Sequence, residues 1–269
     1  SGVTMQDLNL LTTDTVPDDA AALLINDPQA DLSTLDAAAI KTYLENGGQL
    51  FVTTDLTVDT PNLDALLAEY GMTRQEGLVI ETDSNYYAYR YPQTYLLPSL
   101  SSNDITAGIT DGMHVFTPVA QGIVKGDSTD DLTLTTLLST SSTAYSMQDY
   151  AEATTAEQGA NDPNGPFNIA VAASNSATGA KVVWVNCPNM LNSQMNSAVS
   201  GGNAQLLTSA VNWMTGEENG VVIDSKSMSA ETLTVPAKAT MLLGLLFTIV
   251  VPLAFIVVGI AITLVRRRR

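Results

Sequence analysis

Residues 239–265 read ATMLLGLLFTIVVPLAFIVVGIAITLV without one charged side chain, and the chain then runs into Arg266, Arg267, Arg268 and Arg269. As a helix rising about 1.5 Å per residue, such a stretch is roughly 40 Å long, against a hydrocarbon layer of roughly 30 Å. The pattern predicts a transmembrane helix over 239–265. A cluster of guanidinium groups beside a span is poorly translocated, so Arg266, Arg267, Arg268 and Arg269 are the expected topology determinants. Residues 266–269 are then a cytoplasmic basic tail, and residues 1–235 an extracytoplasmic domain. Pro252 falls at mid-span, where it removes one backbone donor and predicts a kink that membrane helices tolerate.

All 28 acidic residues and seven of the 11 basic ones precede residue 239, a net charge of 7 − 28 = −21. Such a surface repels phosphate backbones and excludes nucleic acid as a ligand, while it keeps an exported domain soluble. A stretch of about 235 residues can bury a large core as one α/β domain or two small ones. Cys187 is the only cysteine, so an intramolecular disulfide is impossible and packing must hold the domain together. The chain opens SGVTMQDLNL, with neither an initiator Met nor a signal peptide, and reads as the C-terminal part of a longer protein.

The clearest folded unit lies within residues 20–55. AALLIN is an apolar run fit for a buried strand, and Ser33 with Asp36 resembles a capping box. Leu35, Ala39, Tyr43 and Leu44 then recur at helical spacing until Gly47 and Gly48, and QLFVTT returns as a second strand. Strand, helix and strand at this spacing predict parallel pairing. Thr60-Pro61 starts another helix, which Gly71 ends. Residues 78–81, 114–118 and 132–138 read as strands, and 139–166, rich in Ser, Thr, Ala, Asn and Gly, as a long surface loop. PFNIAVAAS and AKVVWVN form a hairpin about residues 175–179. Asn203 is the expected cap of a helix whose Leu206, Leu207, Ala210, Val211 and Met214 make one apolar stripe, ended by Gly216.

Two features invite a ligand. Residues 82–102 hold five of the nine tyrosines, and alternation across Tyr87, Tyr89 and Tyr91 would set three rings on one face, able to stack on sugar or peptide. The competing reading is an edge strand packed on its own domain. Asp127, Asp130 and Asp131 crowd one loop, but lack EF-hand spacing and its glycine turn, which favours a solvated loop.

Catalytic groups are missing. In class I glutamine amidotransferases, which share a strand–helix–strand core, a nucleophilic cysteine sits directly after a core strand. Here that turn is Thr54-Asp55-Leu56, and no Gly-x-Cys-x-Gly or Gly-x-Ser-x-Gly elbow occurs elsewhere. Cys187 and His114 could formally pair, but Pro188 after Cys187 has no N–H to line an oxyanion hole. No Gly-x-x-x-x-Gly-Lys run is present for nucleotide hydrolysis, and one histidine with one cysteine cannot form a usual zinc site. Neither an enzyme nor a cofactor is expected.

The order of these segments resembles the GldG-like family of ABC-transporter auxiliary proteins, whose ectodomain is related to the amidotransferase-like fold. The matching pieces are ALLINDPQADLSTLDAAAIKTYLENGGQLFVTTD, LDALLAEYGM with GLVIE, DPNGPFNIAVAAS, AKVVWVNCPNMLNS and NAQLLTSAVNWMTGEENGVVIDSKS, followed by the span and its basic tail. The resemblance implies an α/β domain with a mostly parallel sheet flanked by helices, amidotransferase- or flavodoxin-like, plus one C-terminal transmembrane helix. It also implies a non-catalytic subunit anchored beside an ABC permease and, indirectly, its ATPase. Gly244 and Gly259 interrupt the bulky surface of the span, which predicts that it packs on permease helices. The alternative function is a stand-alone surface module binding carbohydrate or peptide through the tyrosine-rich segment.

Overall fold

The computed structural model describes residues 4–216 apart from 89, 91 and 111, together with 241, 244–253, 255 and 267. A short α1 (Leu10–Thr13) leads into β1 (Leu23–Asn26), α2 (Thr34–Glu45) and β2 (Gln49–Thr53). β1 and β2 are parallel, with Leu23 opposite Leu50 and Asn26 opposite Thr53, as the strand–helix–strand pattern predicts. Ser33 caps α2 by accepting from the Asp36 N–H, and Gly47, at φ +88°, turns the chain out of the helix. The buried face of α2 is carried by Ile40 and Leu44, whereas Leu35, which the periodicity places on the apolar side, is 80% exposed. α3 (Pro61–Glu69) begins on proline. Its free N–H groups at Asn62 and Leu63 donate to the Asp31 carboxylate, a charge well placed at a helix N-terminus.

The chain continues through β3 (Met72–Arg74), β4 (Leu78–Ile80), β5 (Tyr95–Leu96), β6 (Ser99–Leu100), β7 (Thr117–Pro118), β8 (Ile123–Lys125), β9 (Leu132–Ser139), β10 (Tyr145–Met147), β11 (Asn168–Asn175) and β12 (Lys181–Val185). It closes with α4 (Ser193–Ala198) and α5 (Gly202–Thr215). The main sheet runs β1-β2-β12-β11-β8-β3, with β9 also on β11 and β6 on β9. β12 lies parallel to β2, whereas β11 pairs antiparallel with β12, β8 and β9. The α/β class stands, and the parallel core joins β1, β2 and β12; it is narrower than the sequence reading implies. The expected hairpin makes β11 antiparallel to β12, since a parallel crossover needs roughly a dozen residues or more, and β8 and β9 add to the other edge of β11 antiparallel as well.

Alternation along the central strands fills both faces. Phe51, Val183 and Val185 point to a core that includes Leu206, Ala210 and Met214 of α5. Leu50, Val52, Val182 and Trp184 point to the other, with Ile40 and Leu44 of α2 and Leu63, Leu66 and Leu67 of α3. Gly216, at φ +70°, ends α5 as expected. Lys181 Nζ donates to the Trp213 carbonyl and lies 4.8 Å from the Trp213 ring centroid, a cation at a helix C-terminus.

Three expectations are corrected. The stretch 139–166 is not only a surface loop, because its β10 is fully buried and pairs antiparallel with β4. Of 114–118, only Thr117 and Pro118 form a strand, on β5. Asn203 does not cap α5; it is buried inside the first turn, accepting from the Phe116 N–H at 2.7 Å and donating to the Phe116 and Met190 carbonyls, both at 2.8 Å. The cap position falls to Gly201, at φ +86°.

The expected span lies largely outside the described residues, and among these no helix is long and apolar enough to cross a membrane. Those described between 241 and 255 are helical, and Leu245, Phe247, Ile249, Leu253 and Phe255 are each more than half exposed. Leu246–Val250 form a π-helical turn just before Pro252, in which the Val251 N–H donates to the Leu246 carbonyl. Of the four terminal arginines, Arg267 is described, and it is exposed; Arg266, Arg268 and Arg269 lie outside the described residues.

Candidate functional site

Ligands of open α/β sheets favour the carboxyl ends of parallel strands. Here these ends bring together Asp27 after β1, Thr54 and Asp55 after β2, and Asn186 and Cys187 after β12. Thr54 stands first in the turn where an amidotransferase-like nucleophile would sit. It is wholly buried, and its hydroxyl accepts from Trp184 Nε1 at 2.8 Å and donates to Asn186 Oδ1 at 2.7 Å. Asn186 Nδ2 donates in turn to the Gly122 carbonyl at 3.2 Å. Gln121 Oε1 accepts from Arg74 Nη1 at 3.2 Å, and the same nitrogen donates to the Asp55 carbonyl at 3.2 Å. Arg74 Nε spans both oxygens of Asp64, at 2.9 and 2.8 Å, while Nη2 donates to Thr60 Oγ1 at 2.7 Å. The guanidinium carbon lies 5.9 Å from the Trp184 ring centroid.

These contacts form a brace that ties the ends of β2, β3 and β12 with neutral and charge-assisted bonds. The Thr54 hydroxyl both donates and accepts within the core, so it is not poised to attack a substrate. None of Arg74, Gln121 or Asn186 is marked by a local sequence pattern as part of it.

Asp27 is the exception at this edge. Its backbone is left-handed, at φ +49°, held by its N–H donating to the Thr53 carbonyl at 3.1 Å and to Thr53 Oγ1 at 2.9 Å. Its Oδ1 is shielded from solvent and accepts no hydrogen bond among the described residues. Burial first, and the charge of Asp55 second, raise the Asp27 carboxyl above the usual aspartate pKa.

Tyr87 is half-buried and bridges antiparallel to Leu96, while the Ala88 N–H donates to the Tyr95 carbonyl and the Leu97 N–H to the Tyr86 carbonyl. The described part of the tyrosine segment therefore folds back on its own domain. Tyr89 and Tyr91 lie outside the described residues. Cys187 is buried and its Sγ donates to the Pro118 carbonyl at 3.2 Å, a small core side chain held by backbone. His114 is half-buried. Asp127, Asp130 and Asp131 are exposed, and among the described residues no group of three or more His, Cys, Asp or Glu could hold a metal ion.

Sequence reasoning missed Glu81, a fully buried acid after β4. Its Oε1 accepts from the Asp83 N–H at 2.9 Å and Ser141 Oγ at 2.8 Å, and its Oε2 from the Ser141 N–H at 3.0 Å. It latches the 139–166 region to the strand before it. An open concavity of about 360 Å³ in the same region is lined by Asp149, Glu152, Glu157 and Asp162.

The fold and its strand ends define a mixed α/β scaffold in which, among the described residues, the buried side-chain polar atoms left unpaired are Asp27 Oδ1, Gln49 Oε1 and Thr117 Oγ1. Residues 4–183 match the family model described as ABC-type uncharacterized transport system, and the chain belongs to that family. Among solved structures the mmIFT52 N-terminal domain is similar at 16% identity, with a TM-score of 0.52, over 73% of this chain and 77% of that one, a likeness of fold alone. A ThuA-like protein from Bacteroides uniformis aligns at 15% identity with a TM-score of 0.34, over 74% of this chain and 71% of that one. No curated protein matches the sequence.

Proposed function

We propose that this chain is a non-catalytic, membrane-anchored accessory subunit of an ABC transporter. Residues 1–235 stand outside the cell, 239–265 cross the membrane and 266–269 remain in the cytoplasm. The ectodomain packs beside an ABC permease and shapes access of cargo to it, while the separate ATPase supplies energy. Membership of a transport-system family over residues 4–183 is the observation that carries this reading.

Two further observations support it. The charge-free stretch ending in four arginines has the composition of a span with a retained basic flank. Within it, Phe247 at 66% and Phe255 at 73% exposure leave apolar area that water would oppose by about 25 cal/mol per Å², a cost that lipid removes. The braced turn at Thr54 supports a scaffold over a hydrolase. The folding back of Tyr86, Tyr87 and Ala88 on residues 95–97 gives the stand-alone binder no added support.

The test combines topology and partnership. In a Cys187→Ser background, a cysteine placed at Ser225 should react with an impermeant thiol reagent in intact cells, and one added after Arg269 should not. The same tagged chain should recover the permease from detergent extracts. Reversed labelling overturns the orientation; a membrane-inserted chain that recovers no permease overturns the subunit assignment.

A further inference from the structure

Among the described residues, the π-helical turn beside Pro252 leaves the Phe247 carbonyl without an α- or π-register partner in its own helix. In a helix the Phe247 carbonyl takes its hydrogen bond from position 251 in the α register, or from position 252 in the π register. The Val251 N–H donates to Leu246 instead, and residue 252 is proline, which has no N–H. Neither register serves Phe247. In water this would be of little account, but within hydrocarbon an unpaired carbonyl is costly, and a donor on a neighbouring helix can satisfy it.

We propose that the donor is the Thr248 hydroxyl of a second copy of this chain, in a parallel homodimer of the spans. The inference rests on the reading of 239–265 as membrane-spanning. Four observations select this occupant. Copies with the same basic tail share one orientation, so identical residues meet at identical depth. Among residues 239–265 the side-chain donors are Thr240, Thr248 and Thr263, and only Thr248 lies at the level of Phe247. In sequence, Thr240 stands seven positions before Phe247 and Thr263 sixteen after it. Finally, Gly244 precedes Thr248 by one turn, and a Cβ built on it would meet nothing within 4 Å, so that face is open to a close-packed backbone. Two-fold symmetry makes the contact twice: each Thr248 serves the other copy's Phe247.

The experiment uses the full chain, Cys187→Ser, with one cysteine after Arg269 carrying a donor or an acceptor dye, reconstituted in phosphatidylcholine–phosphatidylglycerol vesicles. Flotation first establishes insertion; a chain that fails to float with the vesicles defeats the spanning assignment itself. Energy transfer that falls on lipid dilution should then report a dimer. Interhelical hydrogen bonds are worth about 0.6 kcal/mol each, so losing both in T248V should raise the dissociation constant about sevenfold or more. P252L, which restores a donor at position 252 and with it the regular register, should weaken the dimer in the same direction. An inserted wild-type chain that gives no transfer, or a T248V chain that gives undiminished transfer, overturns the proposal. So does a result in which transfer appears only when dye-labelled permease is the second partner.

Discussion

Replacing Thr54 by valine changes shape least and hydrogen bonding most. The two side chains are nearly isosteric, but valine can neither accept from Trp184 Nε1 nor donate to Asn186 Oδ1. Trp184 and Thr54 are fully buried and Asn186 is 1% exposed, so water cannot replace the lost partners. Each stranded group costs about 1–3 kcal/mol, while the extra buried methyl returns about 0.8 kcal/mol. The expected net loss is about 1–5 kcal/mol, most of the stability margin of an ordinary domain at its upper end. Urea unfolding of the full chain in mild micelles, followed by near-UV circular dichroism of tryptophan, measures it as a fall in midpoint at unchanged slope. A double-mutant cycle with Trp184→Phe isolates the shared bond: the two substitutions together should cost less than the sum, by about 0.5–3 kcal/mol. If Thr54→Val unfolds within about 0.5 kcal/mol of the parent, the range of an ordinary surface change, the brace does not hold these strand ends.

Asp27→Asn should stabilise the protein at neutral pH, because the raised folded-state pKa means that ionising Asp27 opposes folding. The folded state holds the proton more tightly than the unfolded chain, so stability falls as pH rises from below the ordinary aspartate range through the folded pKa; the thermal-midpoint advantage of Asn should be present above that window and vanish below it. Gly202→Ala should destabilise by about 1–3 kcal/mol, since its Cβ would overlap the His114 carbonyl oxygen and push α5 away from the 114–118 segment; thermal melting equal to wild type would show that α5 can shift freely.

The parts of this fold that were readable in the sequence are those encoded by contiguous residues. Ser33 announces α2 because a hydroxyl can reach an N–H three residues on, and Gly71, Gly179 and Gly216 announce turns because their positive φ favours glycine. The parts that were not readable depend on partners far along the chain. Residues 145–147 look like loop until they meet Leu78–Ile80, and Glu81 looks like a surface acid until Ser141 folds onto it. Asn203 carries the right chemistry for a cap, but the carbonyls of Met190 and Phe116 claim its side chain one position inside the helix.

The same division runs through the candidate site. That the turn after β2 lacks the cysteine of an amidotransferase-like elbow is visible in three letters, Thr54-Asp55-Leu56. What occupies it instead is visible only in space: the bonds from Thr54 join residues 130 and 132 positions away. An enzyme at this position must keep a reactive group poised and incompletely satisfied, which costs stability. Here Thr54, Asn186, Gln121 and Arg74 satisfy one another, and the remaining buried acceptor at the edge, Asp27 Oδ1, is an acid whose ionisation is disfavoured. A strand end that spends its hydrogen bonds on holding β2, β3 and β12 together gains rigidity where an enzyme would hold reactivity. Under the proposed function, such rigidity suits an accessory domain that stands beside a permease, because contacts on its surface are then not absorbed by local deformation of its core.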